Sequence, residues 1–185
     1  GHMLLKGVEI SKNTSKAMYW FKRAASQGNI KAQFNLGLAY NRGEGLPRDY
    51  NKSVHWYTMA ANQGSSSAQY NLGQMYINGE GVSKNYKEAF KLFVKSSNQG
   101  DAKAQNNLGM IYAHGQYVPQ DYQQAVKWYR LAADNKSSRA QYNLGEMYAK
   151  GKGVPKDLQK ASKWFRLYLE NCRGVNKYIE PSKKE

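Results

Sequence analysis

The sequence predicts an all-α fold, a right-handed α-solenoid of stacked helix-turn-helix repeats. Three observations support this fold class: a short motif recurs every 36 residues, each copy carries the start and stop signals of two helices, and no strand pattern competes with them. The motif reads AQFNLG, AQYNLG, AQNNLG and AQYNLG, and its copies begin at Ala32, Ala68, Ala104 and Ala140. Such a regular register indicates one structural unit repeated along the chain.

The first helix of each repeat, helix A, is bounded by a capping residue and a glycine. Residues whose side chains cap helix N-termini come just before each motif, at Asn29, Ser65, Asp101 and Ser137. Glycines that suit a left-handed C-terminal residue follow it, at Gly43, Gly79, Gly115 and Gly151. We therefore expect helix A to run between these two signals.

The second helix, helix B, has its own cap and one apolar face. The caps are Asp49, Asn85, Asp121 and Asp157. Small, tryptophan, aromatic and small residues then follow at helical spacing, as in Ala17, Trp20, Phe21 and Ala24. We expect the tryptophans of this pattern to be core residues. Gly28, Gly64 and Gly100 end helix B, and Asn135 or Lys136 takes that role in the fourth repeat.

The segment 68–100 resembles a Sel-one-like repeat (SLR), a relative of the tetratricopeptide repeat with a longer inter-helix loop. It reads AQYNLGQMYINGEGVSKNYKEAFKLFVKSSNQG, and the same order of alanine, leucine, glycine, tyrosine, loop glycines and aromatic pair recurs in all four units. Three positions depart from the pattern, Tyr117 and Ser83 in the loops and Leu92 in helix B. The resemblance implies a non-catalytic adaptor that gathers other proteins, as in bacterial envelope assembly, secretion and host interaction, with helix A lining the binding groove.

The repeat register divides the chain into seven segments. Residues 1–3 look like the scar of a cleaved tag, and 4–28 form a partial repeat that lacks helix A. Full repeats follow at 29–64, 65–100, 101–136 and 137–172, and residues 173–185 form a tail or cap.

One face of helix A is the predicted partner-binding stripe. On a helical wheel, Ala32, Leu36, Ala39 and Tyr40 form the core side, and the opposite side changes identity from repeat to repeat. Because the architecture does not dictate these variable positions, we expect them to contact a protein or peptide partner. The competing interpretation is that they are solvated or packed against the next repeat. The stripe comprises Phe34, Leu38, Asn41, Tyr70, Gln74, Ile77, Asn106, Met110, Ala113, Tyr142, Glu146 and Ala149.

Two polar positions recur on helix A without change. They are Gln33, Gln69, Gln105 and Gln141, and Asn35, Asn71, Asn107 and Asn143. Because backbone groups between repeats need hydrogen-bond partners, we expect these side chains to bond a neighbouring loop or helix terminus and not a ligand.

The chain is strongly basic, and helix B carries most of the excess. The 185 residues include 28 Lys and Arg against 13 Asp and Glu, a formal net charge of +15. The helix B cations lie off the apolar face: Lys22, Arg23, Lys52, Lys87, Lys91, Lys95, Lys127, Arg130, Lys160, Lys163 and Arg166. This pattern leaves a second function open, non-specific binding of nucleic acid or an anionic membrane surface by the convex face, against the simpler interpretation of a solvated surface.

Catalytic chemistry has few residues to draw on. The histidines beyond the tag scar are His55 and His114, which lie on different elements, and Cys172 is solitary. No metal-ligand or phosphate-loop motif accompanies them, so we predict neither an enzyme nor a cofactor.

No apolar run is long enough for a transmembrane helix. A lone cysteine fits the cytosol and the periplasm equally, whereas the resemblance favours a periplasmic or secreted bacterial protein.

Overall fold

The computed structural model describes the backbone of residues 10–176 and the side chains of residues 17–172. This part of the chain contains helices and no strands, which confirms the predicted all-α class. The expectations for the tag scar, for positions 4–9 and for positions 177–185 lie outside the described residues.

The chain divides into two compact units between Gln99 and Gly100. The first unit contains α1 (Ile10–Ser26), α2 (Ile30–Arg42), α3 (Tyr50–Asn62), α4 (Ser66–Asn78) and α5 (Tyr86–Ser97). The second contains α6 (Ala102–His114), α7 (Tyr122–Asp134), α8 (Ser138–Lys150) and α9 (Leu158–Asn176). Within each unit every helix packs chiefly on its neighbours along the chain, so α2, α4, α6 and α8 are the helices A of the four repeats.

The predicted caps begin the helices. Asn29 accepts a hydrogen bond from the Ala32 backbone N–H at 2.9 Å, and Ser65, Asp101 and Ser137 act in the same way. Asp49 accepts from the Lys52 N–H, and equivalent bonds begin α5, α7 and α9. Each cap satisfies a backbone donor that the first helical turn leaves without a partner.

Left-handed residues end the helices and shape the inter-helix loops, and two of them are not glycine. Gly43 has φ +74° and its N–H donates to the Ala39 carbonyl, as its three counterparts do in their repeats. Lys136, with φ +61°, ends α7 where the earlier repeats use glycine, which resolves the alternative of Asn135 or Lys136. Tyr117 has φ +72° in place of the second loop glycine.

Helix B fixes its partner helix through the second residue of its aromatic pair. Tyr57 is 1% exposed and lies flat against Gly37, where an added Cβ would meet the ring at 2.5 Å. The same contact joins Tyr129 to Gly109. The motif glycine is therefore required for the close approach of a ring.

The expectation that the tryptophans are core residues was wrong for Trp20, which is 59% exposed. Trp56, Trp128 and Trp164 are half-buried. In these three repeats the second aromatic residue fills the gap over the motif glycine, and the tryptophan one position earlier lies at the edge of that face.

The invariant glutamines act between helices, as predicted for Gln33 and Gln69. Their Nε2 atoms donate to the carbonyls of Ala25 and Ala61, near the ends of α1 and α3. Their Oε1 atoms accept from a residue 30 positions later, as in Gln63 Nε2 to Gln33 Oε1 at 2.7 Å. In the second unit, asparagines donate to Gln105 and Gln141 in the same way. These bonds tie each helix A to the end of the following helix B.

Candidate partner-binding site

In the first unit, the stripe is partly covered by the core. Phe34 and Leu38 on α2 are half-buried against the cluster around Tyr57, and the Phe34 and Tyr57 ring centroids are 5.8 Å apart. Tyr70 on α4 is also half-buried, with its ring 6.0 Å from that of Phe93. Asn41, Gln74 and Ile77 are half-buried too. These side chains thus combine core packing with a solvent-facing edge.

In the second unit, the stripe exposes two large apolar side chains. Met110 on α6 is 41% exposed and Tyr142 on α8 is 45% exposed. The Tyr142 ring packs 5.5 Å from the rings of both Phe165 and Tyr168, which hold it in place. Ala113, Glu146 and Ala149 are half-buried. A large apolar side chain that is exposed yet fixed by its neighbours suits an interface anchor.

Asn106 is the stripe residue that the structure does not expose. It is 3% exposed, its Oδ1 accepts from Asn143 Nδ2 at 2.9 Å, and its Nδ2 lies 3.6 Å from the Met110 sulfur. Placing Asn106 on the partner-facing surface was therefore a mistake. An asparagine at this position is small enough to turn inward, whereas Phe34, Tyr70 and Tyr142 in the other repeats are too large to do so.

The second unit also contains a pocket that the sequence did not reveal. It has a volume of about 300 Å³ and lies among α6, α7 and α8. Stripe residues Ala113, Tyr142 and Glu146 line it together with the polar side chains of His114, Gln120, Tyr122, Asn143, Lys150 and Lys152. Only the fold brings these positions together, because they lie on separate helices and loops.

The charges of this pocket are partly paired. Lys150 forms an ion pair with Glu146, and this hydrogen bond raises the pKa of the Lys150 ammonium. Lys152 Nζ lies 3.4 Å from the Tyr122 hydroxyl and 5.0 Å from the centre of its ring. Among the described carboxylates, none lies within ion-pair distance of Lys152.

The basic residues of helix B are exposed, as the sequence predicted. All eleven are solvent-exposed, and several pair with nearby carboxylates, as Lys52 does with the capping residue Asp49 at 2.9 Å and Lys160 with the capping residue Asp157 at 3.1 Å. The backbone N–H and the ammonium of Lys52 hold the pKa of Asp49 below its usual value. Local pairing thus offsets part of the positive charge of these faces.

The described part of the chain shows no cluster of three metal-ligating side chains, and none of its helices has the length and apolarity to span a bilayer. His55 lies on α3 and His114 at the end of α6, in different units.

The chain matches the Sel1 repeat five times, at residues 1–29, 30–65, 66–101, 102–137 and 138–167. The chain belongs to the Sel1 repeat family. The resemblance seen in the sequence is thereby confirmed. Sel1 repeats are generally protein–protein interaction modules, and the family is generally non-enzymatic.

Solved structures share this fold. A protective antigen of uropathogenic Escherichia coli strains with an SLR fold is 38% identical, with a TM-score of 0.86 over 91% of this chain and 36% of that one. A Sel1 repeat protein from Oxalobacter formigenes is 35% identical, with a TM-score of 0.85 over 92% and 69% of the two chains. These similarities confirm the predicted α-solenoid class.

The chain spans 36% of the length of the E. coli antigen. A putative Sel1 repeat protein from Klebsiella pneumoniae is 25% identical, with a TM-score of 0.56 over 90% of this chain and 85% of that one. No curated protein matches the chain.

Proposed function

We propose that this chain is a non-catalytic scaffold or adaptor that binds a partner protein or peptide through the stripe on α2, α4, α6 and α8. The observation that carries the proposal is the pair Met110 and Tyr142, large apolar side chains exposed on helix A in a family of interaction modules. Tyrosine and methionine offer a large contact area with few rotatable bonds or with adaptable packing, which makes them effective anchors.

The binding set within the stripe is narrower than the sequence suggested. Phe34, Tyr70, Met110 and Tyr142 are its anchors, and Leu38, Asn41, Gln74, Ile77, Ala113, Glu146 and Ala149 surround them. Asn106 is left out because it is buried. Variation among repeats supports this set, since the repeat framework does not dictate the residues at these positions.

The proposal is tested in two steps. A pull-down from lysate in high salt, followed by mass spectrometry, identifies a protein partner under conditions that weaken polyanion binding. Tyr70→Ala combined with Tyr142→Ala should then weaken binding of that partner by more than about 2 kcal/mol, with helical content unchanged by circular dichroism.

Two control variants separate the stripe from the rest of the surface. Leu131→Ala removes a side chain of α7 that is 45% exposed, the same fraction as Tyr142, and should leave the affinity unchanged. Lys91→Ala with Lys95→Ala tests the basic face of α5. Release of the partner by the lysine variant, with the tyrosine variant still binding, would make helix B the interface and refute the stripe.

A further inference from the structure

The buried tyrosine of the second unit has a polar end that the fold does not use. Tyr129 is 4% exposed and lines the 300 Å³ pocket among α6, α7 and α8. No described residue forms a hydrogen bond with its hydroxyl, and burial alone raises its pKa. Among the described residues, every side-chain oxygen that is fully buried has a hydrogen-bond partner. The Tyr129 hydroxyl has none among these residues, so it is not fully buried, and we infer that it opens onto the pocket that Tyr129 lines.

The first unit shows how the framework satisfies such a hydroxyl. Tyr57 occupies the equivalent position, and its hydroxyl accepts a hydrogen bond from Asn71 Nδ2 at 3.3 Å. Asn143 is the counterpart of Asn71, but its Nδ2 donates to Asn106 instead. The other two repeats place Phe93 and Phe165 over the same glycine. The framework therefore needs the ring and not the hydroxyl.

The surroundings of the hydroxyl favour a negatively charged group. A tyrosine hydroxyl is protonated at neutral pH and burial raises the pKa of Tyr129 further, so this hydroxyl can donate a hydrogen bond. Lys150 neutralises Glu146, and Lys152 adds a positive charge that no described carboxylate offsets. A pocket of this volume, whose lining includes Tyr142 and Met147, accommodates a single side chain.

We propose that this pocket receives a carboxylate side chain of the partner, an Asp or Glu that accepts a hydrogen bond from Tyr129 and is attracted by Lys152. The inference rests on the proposed scaffold function, because Ala113, Tyr142 and Glu146 belong both to the stripe and to the pocket. It adds the chemistry of the partner: an acidic segment set beside an apolar contact at Tyr142.

The test uses a hexaglutamate peptide, with hexaglutamine as the neutral control, added to protein carrying ¹³C-labelled tyrosine. The Tyr129 ring signal is assigned from its loss in Tyr129→Phe. Hexaglutamate should shift that signal saturably and hexaglutamine should not. Equal shifts by both peptides, or none by hexaglutamate, would overturn the proposal.

Two pairs of variants separate the pocket from general attraction to a basic protein. Tyr129→Phe should weaken hexaglutamate binding about tenfold, as expected for loss of a hydrogen bond to a charged acceptor, whereas Tyr57→Phe should not change it. Lys152→Gln should weaken binding more than Lys163→Gln, which removes an exposed charge from α9. Identical effects within either pair would mean that hexaglutamate binds elsewhere.

Failure of this inference is distinguishable from failure of the scaffold function. A partner that depends on Tyr70 and Tyr142 but binds the Tyr129→Phe variant with unchanged affinity would leave the stripe in place and refute the carboxylate pocket.

Discussion

In the first unit the hydroxyl of Tyr57 is bonded to Asn71, whereas in the second the hydroxyl of Tyr129 meets only a pocket. Both rings nevertheless lie over a motif glycine at the same distance, 2.5 Å from the position of an added Cβ. The comparison separates two roles within one residue type. Ring packing belongs to the framework of the repeat, whereas the hydroxyl is bonded within the fold in Tyr57 and, among the described residues, not in Tyr129.

The stripes of the two units also differ, in how closely their side chains pack on the core. The first unit presents Phe34, Leu38 and Ile77, which are half-buried against the core or beside it. The second replaces the Ile77 position with Ala113 and the Leu38 position with Glu146. Ala113 and Glu146 both line the polar pocket, together with Tyr142.

The largest expected effect on stability concerns the buried tyrosine ring over the motif glycine, which both units share. Tyr57→Ala and Tyr129→Ala should each lower the free energy of unfolding by about 3 to 5 kcal/mol, the usual range for truncation of a buried aromatic residue. Trp128→Ala should cost less, because Trp128 is only half-buried. Urea unfolding of the three variants measures these differences. A larger loss for Trp128→Ala than for Tyr129→Ala would refute the assignment of the framework to the second aromatic position.

An intermediate effect on stability concerns the hydrogen bond of the tyrosine hydroxyl, which Tyr57 has and Tyr129 lacks within the described part of the chain. Tyr57→Phe should lower the free energy of unfolding by about 1 kcal/mol, because it removes a hydrogen bond and leaves Asn71 without it. Tyr129→Phe should leave stability unchanged or slightly raised, since no described residue bonds its hydroxyl. The same urea experiment compares the two variants. Equal losses would mean that the Tyr129 hydroxyl has a structural partner.

The smallest effect concerns backbone strain, which the described residues place in the second unit. Tyr117 and Lys136 have positive φ where other repeats use glycine. A left-handed residue with a side chain costs about 1 to 2 kcal/mol. Glycine removes this cost, but it loses more backbone entropy on folding, which offsets part of the gain. Tyr117→Gly and Lys136→Gly should therefore each stabilise the chain by about 0.5 kcal/mol, seen as a higher melting temperature. Destabilisation by Lys136→Gly would show that its side chain contributes more than its backbone costs.

Local signals made the helices and their ends predictable, because caps such as Asn29 and stop residues such as Gly43 act within a few positions of the chain. Periodicity alone could not predict which helix B aromatic residue is more deeply buried, because Trp56 and Tyr57 lie on adjacent parts of one face. Only the contact with Gly37 decides that it is Tyr57. The inward turn of Asn106 depends on its hydrogen bond with Asn143, 37 positions away. The same bond engages the Asn143 amide, which therefore does not bond the Tyr129 hydroxyl as Asn71 bonds that of Tyr57. Contacts between repeats of this kind have no local signature.

The stripe as the partner interface is tested most directly by hydroxyl-radical footprinting of the complex with the captured partner. Met110 and Tyr142 react readily and are 41% and 45% exposed, while Tyr19 and Trp20 on α1, at 58% and 59%, provide an internal reference outside the stripe. We expect the partner to protect Met110 and Tyr142 and to leave Tyr19 and Trp20 as reactive as in the free protein. Protection of Tyr19 and Trp20 with unchanged oxidation of Met110 and Tyr142 would contradict the account.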